Sequence, residues 1–275
     1  MVAVIPGVRG LPVPLESSVV TLGSFDGVHR GHQTLIKRAV EAAQARGVPS
    51  VGYTFHPHPA TVLSPAKAPP TIMGIEERAY TMGQYGLDYV LVQPFDADFA
   101  GVTADQFVAD YLVAPLHPAH VVVGFNFTYG RARAGDAGHL KAVGPNFGFS
   151  ADVVQAVGFE GEVASSTAVR AYLRDGDLVA AERLLGRRPS LAGKVVSGDQ
   201  RGRKIGFPTA NVAHEGTLVP AHGVYAAWVD ILDDHGAKKT THAAMANIGR
   251  RPTFDGEAVS IEAFLIDFEG DLYGR

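Results

Sequence analysis

The feature that most limits what this chain can fold into is an alternation running through its first two thirds, in which short β-branched runs are separated by amphipathic stretches. Residues 19–22, 51–55, 89–92, 121–123 and 153–157 read as strands, and 33–45, 76–85, 104–112, 168–173 and 178–185 as helices. Strands alternating with helices of this length predict βαβ units and a parallel sheet covered on both faces. Such sheets bind ligands beyond the carboxyl ends of their strands, so the loops that follow strands are where chemistry is expected.

After Gly186 the texture changes. The sequence GRRPS is a turn-rich, charged break, and the runs 224–232, 240–248 and 259–268 that follow lack intervening helical patterns. The expected organisation is an α/β domain over 1–186 and a small all-β domain, a barrel, over 187–275. At 275 residues with 46% hydrophobic content, each domain can bury a core. No apolar run reaches the roughly 18 to 20 residues of a membrane span, and MVAVIPGVRG is not a signal peptide, so a cytoplasmic protein without a membrane partner is expected. With no cysteine, thiolate zinc sites, disulfides and cysteine nucleophiles are excluded. A formal charge of −4, from 24 basic and 28 acidic residues, gives no case for wrapping nucleic acid and favours small-molecule chemistry. Self-association is left open.

The first motif is Gly23-Ser24-Phe25-Asp26-Gly27-Val28-His29-Arg30-Gly31-His32, lying between the first strong strand and a helix. A helix N-terminus offers outward N–H groups and the positive end of the helix dipole, and glycines let a phosphate approach. Histidines at i and i+3 share a face, so both can donate to one phosphoryl group as charge builds. Taken alone, this motif serves equally well as a plain surface loop. His56 and His58 lie in a proline-bracketed loop, TFHPHP, and a metal cluster with His29 and His32 is not expected, because no acid or cysteine joins the pairs at ligand spacing. SSTAVR, from Ser165 to Arg170, places cap residues before a helix and a fork-shaped cation one turn on, a pattern that a simple N-cap also explains.

A second motif, GKVVSGDQRGRKIGFPTANV over 193–212, leads from a strand into a glycine- and arginine-rich loop. Its backbone could cradle a polyphosphate, with Thr209 and Asn211 as hard oxygen ligands for Mg2+. It is not a Walker A loop. Glu262, between Ile261 and Ala263, would by itself pass for a solvated strand residue.

Together these motifs resemble the bacterial bifunctional riboflavin kinase/FMN adenylyltransferase family, also called FAD synthetases. Gly-x-Phe-Asp-Gly-x-His-x-Gly-His resembles its paired-histidine site, TFHPHP its second-strand loop, VGFNFTYGRARAGD its Gly-x-x-Phe-x-Phe-Gly segment, and SSTAVR with LRDGDLVAAERLLGR its helix-start motif. GFPTAN, PAHGVYAAWV, ANIGRRPTF and SIEAFLIDFEGDLYG are similar to its kinase module. The resemblance implies a Rossmann-like nucleotidylyltransferase domain followed by a six-stranded riboflavin kinase barrel, with ATP, FMN and riboflavin as substrates, FAD as product and Mg2+ as cofactor. By the same resemblance His29, His32 and Glu262 are catalytic, and Gly23, Phe25, Gly31, Asn126, Ser165, Ser166, Thr167, Arg170, Gly202 and Gly206 bind nucleotide. Phe55, His58 and Pro59 lie near the flavin, and Thr209 and Asn211 hold the metal.

Ala168, Thr128 and Tyr129 depart from the family's pattern. The larger departure is length: relatives are expected to continue past Asp-Leu-Tyr-Gly with a strand and a long helix, so the barrel is expected to be incomplete and the kinase half impaired. Two rivals stay in view. Adenylyl- or cytidylyltransferases with another acceptor share His-x-Gly-His but do not need GFPTAN, and a flavin- or ATP-binding protein without turnover would keep the same motifs.

Overall fold

The computed structural model describes residues 2–197, 208–214, 216–233, 236, 238–253 and 256–275, the side chains of 251–253 and 256–258 excepted. The chain divides into two compact units, Met1–Val169 with Glu182–Arg187, and Arg170–Ala181 with Arg188–Arg275.

The first unit is built on a six-stranded sheet in which every pairing is parallel. Its strands are β1 (Ala3–Ile5), β2 (Ser18–Leu22), β3 (Ser50–His56), β4 (Tyr89–Pro94), β5 (Pro118–Gly124) and β6 (Ser150–Val154), in the order β1-β4-β3-β2-β5-β6. All five residues of β2 and the first six of β3 are buried, because a parallel sheet is covered on both faces and leaves no polar side to alternate with. One covering element is α1 (Arg30–Arg46), which turns Leu35, Ile36, Ala39 and Ala43 inward as one stripe. Gly47, at φ 67°, ends it in the left-handed conformation that glycine adopts without a Cβ penalty. Another is α2 (Ile75–Gln84), which buries Arg78, Ala79, Thr81 and Met82. A helical stretch over 104–116 contributes Phe107, Leu112 and Leu116 to a core shared with Leu22, Tyr53, Leu91 and Val123. Its middle, Phe107–Val113, is π-helical.

Sequence patterning placed the strands of this unit within a few residues, displacing one, and missed several short elements. β1, three residues long at the edge, carries too little pattern to be seen. The short α3 (Ala137–Val143) begins behind Asp136, whose side chain accepts from the His139 amide. The expected strand 153–157 lies instead at Ser150–Val154, where pairing with His120–Gly124 of β5 fixes its register. Two further helices, α4 (Ser166–Asp175) and α5 (Leu178–Leu185), are each crossed by the division between units.

In the second unit the described strands are antiparallel: β7 (Val195–Val196), β8 (Ala210–Val212), β9 (Gly223–Leu232), β10 (Lys238–Thr253) and β11 (Gly256–Leu265), ordered β7-β8-β11-β10-β9. Ala244, Ala263 and Leu265 form its small core on one face, with Val229, Ile231, Phe268 and Leu272 packed against them. Among the described residues no helix is long and apolar enough to cross a membrane.

Candidate functional site

The order of the parallel sheet decides where a ligand can enter. The chain runs from β2 to β3 and β4 on one side, then returns to place β5 and β6 on the other. The loops after β2 and β5 therefore diverge at a topological switch point, and the crevice beyond those strand ends is the expected binding place. Leu22 is paired with Val123, so the turn from Gly23 and the segment from Gly124 leave the sheet side by side.

The turn after β2 has an unusual backbone. Phe25 and Val28 both have positive φ, 49° and 41°, and both side chains are fully buried. For a branched side chain this region costs on the order of 1–3 kcal/mol and persists only where surroundings impose it. Between these two residues lies Asp26, which sequence reasoning did not single out. Fully buried, its carboxylate accepts from the Ile72 amide at 2.9 and 3.1 Å and from the Met73 amide at 3.3 Å, with Arg78 Nη2 at 3.9 Å. Arg78, buried as well, donates from Nη1 to the Ser24 carbonyl at 3.0 Å.

This turn delivers His29 as the N-cap residue of α1 and His32 in its first turn. Their rings are stacked, centroids 3.7 Å apart at 21°, and His32 meets the edge of Phe25 at 5.3 Å. Gly31 leaves room for this packing, since a Cβ there would stand 3.1 Å from His29 Cε1, close enough that the ring would have to give by a few tenths of an ångström. The first turn of α1 holds no acidic residue to compete with an anion.

The start of α4 comes to the same turn. Ser166 donates from Oγ to the Asp26 carbonyl at 2.8 Å, while Ser165 caps the helix by accepting from the Ala168 amide at 3.2 Å. Thr167 is exposed beside them in sequence. Asn126 is exposed just past β5, its Oδ1 close over Gly124, where a Cβ would come within 3.3 Å. Phe55 is buried and belongs to an aromatic cluster with Tyr53, Phe95 and Phe99. His58 caps the short helix Pro59–Leu63, its Nδ1 accepting from the Ala60 amide, and Pro59 opens that helix. Burial and, next, the charge of Arg78 lower the pKa of His56, against an opposing contribution from Glu76. Arg170 is buried and is counted with the second unit.

In the second unit register brings the polar groups together. Asn211 of β8 and Asn247 of β10 both pair directly with Glu262 of β11, so the three share one face across three strands. Thr209 donates from Oγ1 to Glu262 Oε2 at 3.5 Å. Asn247 was not singled out from sequence; only strand pairing reveals it. Gly202 and Gly206 lie outside the described residues. Among the described residues no group of three or more His, Cys, Asp or Glu side chains could hold a metal ion.

Comparison with known proteins matches both halves of the chain to described families. The family model described as FAD synthetase matches residues 12–168, and that described as riboflavin kinase matches 185–275. Bifunctional riboflavin kinase/FMN adenylyltransferase of Escherichia coli K12 is 40% identical over 272 residues, spanning 98% of this chain and 85% of that one. The chain belongs to the bifunctional riboflavin kinase/FMN adenylyltransferase family. Further family members are 40% identical in Pseudomonas fluorescens, over 98% of this chain and 85% of that one, and 38% identical in Listeria monocytogenes, over 94% and 81%. A crystal structure described as a macrolide-efflux protein from Streptococcus pneumoniae superposes with TM-score 0.79 at 33% identity, covering 99% of this chain and 87% of that one.

Proposed function

We propose that the chain makes FAD in two steps, phosphorylating riboflavin with ATP through its antiparallel unit and transferring AMP from ATP to FMN through its parallel unit. The observation that carries the second step is the stacked pair His29 and His32 at the start of a 17-residue helix, beside the switch point between β2 and β5. In that step an oxygen of the FMN phosphate attacks the α-phosphorus, the bond to the bridging oxygen breaks, and its electron pair leaves with pyrophosphate. The nucleophile is already an anion, so catalysis rests on alignment and on stabilising the charge that builds on the α-phosphoryl oxygens.

His29 and His32 donate to those oxygens, with the N-terminus of α1 adding its dipole. Gly23, Phe25 and Gly31 shape the turn to admit the phosphates, and Asn126, Ser165, Ser166, Thr167 and Arg170 hold the rest of the nucleotide. Phe55, His58 and Pro59 border the flavin. In the kinase step Glu262 takes the proton of the riboflavin 5'-hydroxyl as its oxygen attacks the γ-phosphorus and ADP departs. Gly202 and Gly206 cradle the ATP phosphates. Thr209 and Asn211, neighbours of Glu262 with oxygen donors only, suit a hard cation, and Mg2+ held there would neutralise charge between the phosphates. We set the boundary between the two activities near residues 186–187. The reading needs free ATP, FMN and riboflavin in the cytoplasm, and neither nucleic acid nor membrane.

The test is incubation of the chain with Mg-ATP and either FMN or riboflavin, followed by chromatographic separation of the flavins. FAD from FMN and FMN from riboflavin are expected. FAD alone would keep the adenylyltransferase half and discard the kinase half; no product from either, with the protein folded, would overturn the reading in favour of a binding protein.

A further inference from the structure

The GRRPS break reads in sequence as a charged turn, and Arg187 within it falls in the stretch matched by the riboflavin kinase model. The structure counts Arg187 with the parallel unit instead, as its last residue before the chain passes to the other. Its guanidinium reaches back to the turn after β2. Nη2 donates to the Gly27 carbonyl at 2.8 Å and Nη1 to the Val28 carbonyl at 3.1 Å, so one fork grips two successive peptide groups. It is held there by Met73 Sδ at 3.1 Å, by the Leu185 carbonyl at 3.4 Å and by a side-chain hydrogen bond with Tyr85.

The consequence follows from the planarity of the peptide. In a trans peptide the C=O and the following N–H point in opposite directions, so anchoring the Val28 carbonyl also fixes which way the His29 amide faces. The carbonyls of Ser24, Phe25 and Asp26 are likewise committed: Ser24 to Arg78 and Thr54, Phe25 to the Val28 amide, Asp26 to Ser166. An anion site needs its carbonyl dipoles turned away from the ligand. At the two peptides nearest His29, the charged group that turns them comes from Arg187, with Gln33 Nε2 adding a neutral contact to the Val28 carbonyl at 2.8 Å.

We propose that Arg187 is a positioning residue for adenylyl transfer, setting the Val28–His29 peptide and through it the His29 ring at the reaction centre. The proposal rests on the adenylyltransferase reading above. Its test compares steady-state FAD formation by the parent chain, Arg187→Ala, Arg187→Lys and Arg188→Ala, with thermal unfolding of each to establish the folded fraction. Arg188, the exposed neighbour, serves as control. In Arg187→Ala, kcat should fall on the order of 10- to 100-fold, the worth of one or two hydrogen bonds from a charged donor, with the KM for FMN little changed. Arg187→Lys should fall between parent and Ala, since an ammonium keeps the charge but not the fork, and Arg188→Ala should match the parent.

An unchanged kcat in folded Arg187→Ala, or an equal loss in Arg188→Ala, would overturn the proposal. If Arg187→Ala does not fold, Arg187→Lys decides: a reduced kcat at unchanged KM supports it and parental kcat overturns it. A parent chain that forms no FAD would instead overturn the functional reading on which the proposal rests.

Discussion

In the parallel unit the candidate reactive groups follow a turn whose Ser24, Asp26 and Gly27 carbonyls are held by side chains 30, 54, 140 and 160 residues away in sequence. In the antiparallel unit Thr209, Asn211, Asn247 and Glu262 meet because strands pair in a given register. The first arrangement stores strain at Phe25 and Val28 and offsets it with buried polar contacts. The second stores little, but it depends on alternation: a slip of one residue along β11 would send Glu262 to the core face and Ala263 to the open one. One site is fixed by tethers and the other by pairing, so they should fail differently.

The largest expected effect breaks the comparison at its chemical end. His29→Ala with His32→Ala removes both donors from the α-phosphate, and FAD formation should fall by about 10³-fold or more, since one such donor is worth on the order of 10²–10³. Phosphorylation of riboflavin should continue at the parental rate. Chromatography of both reactions checks this, and equal loss of both activities in a folded variant would end the two-site assignment. Glu262→Ala is the converse, lowering FMN formation by about 10²-fold or more as expected for a general base, while leaving FAD formation from FMN intact.

How much of this was legible in the sequence follows the same division. The strand–helix alternation exposes β2 to β5, α1 and α5, because parallel strands and their helices carry long apolar patterns. β6 was displaced because pairing with β5, not hydrophobicity, sets its ends. His29, His32 and Gly31 could be put forward as candidates because they fall within four residues of one motif. Asp26, Arg78 and Arg187 were not, because a tether is defined by which distant backbone comes near, and no local pattern records that. Asn247 escaped for a related reason: its opposite number, Glu262, is set by register. Phe55 and His58 show the reverse, side chains singled out by motif whose visible work is a core contact and a helix cap.

Asp26→Ala probes the tethers by stability. It deprives two amides of their acceptor and Arg78, 1% exposed, of a buried carboxylate partner. Breaking a buried charged contact of this kind costs about 3–5 kcal/mol, so the parallel unit should unfold at a clearly lower temperature and FAD formation should be lost with it. Asp26→Asn, which keeps one acceptor, should lose less. A melting temperature within a degree or two of the parent's for Asp26→Ala would mean that the turn holds its shape without the carboxylate, and the contrast between tethered and register-built sites would weaken.

The smallest effect concerns pH. His120 on β5 places Nδ1 2.7 Å from Ser150 Oγ on β6, joining the two strands through their side chains. Burial, then the charge of Arg46, lowers its pKa below the ordinary 6.5, with Asp152 opposing. The folded chain therefore binds this proton more weakly than the unfolded chain does. The stability that follows is complete above about pH 6.5 and is lost as pH falls below it toward the folded pKa. His120→Gln keeps a polar side chain but cannot titrate, so its melting temperature should decline less than the parent's between about pH 7 and pH 5, with FAD formation at pH 7.5 unchanged. His120 lies on the side of the sheet away from β3, so a parallel decline in variant and parent would move attention to His56 on β3, whose pKa is lowered by burial and Arg78. The acid sensitivity would then belong to the strand next to the tethered turn rather than to the β5–β6 pair.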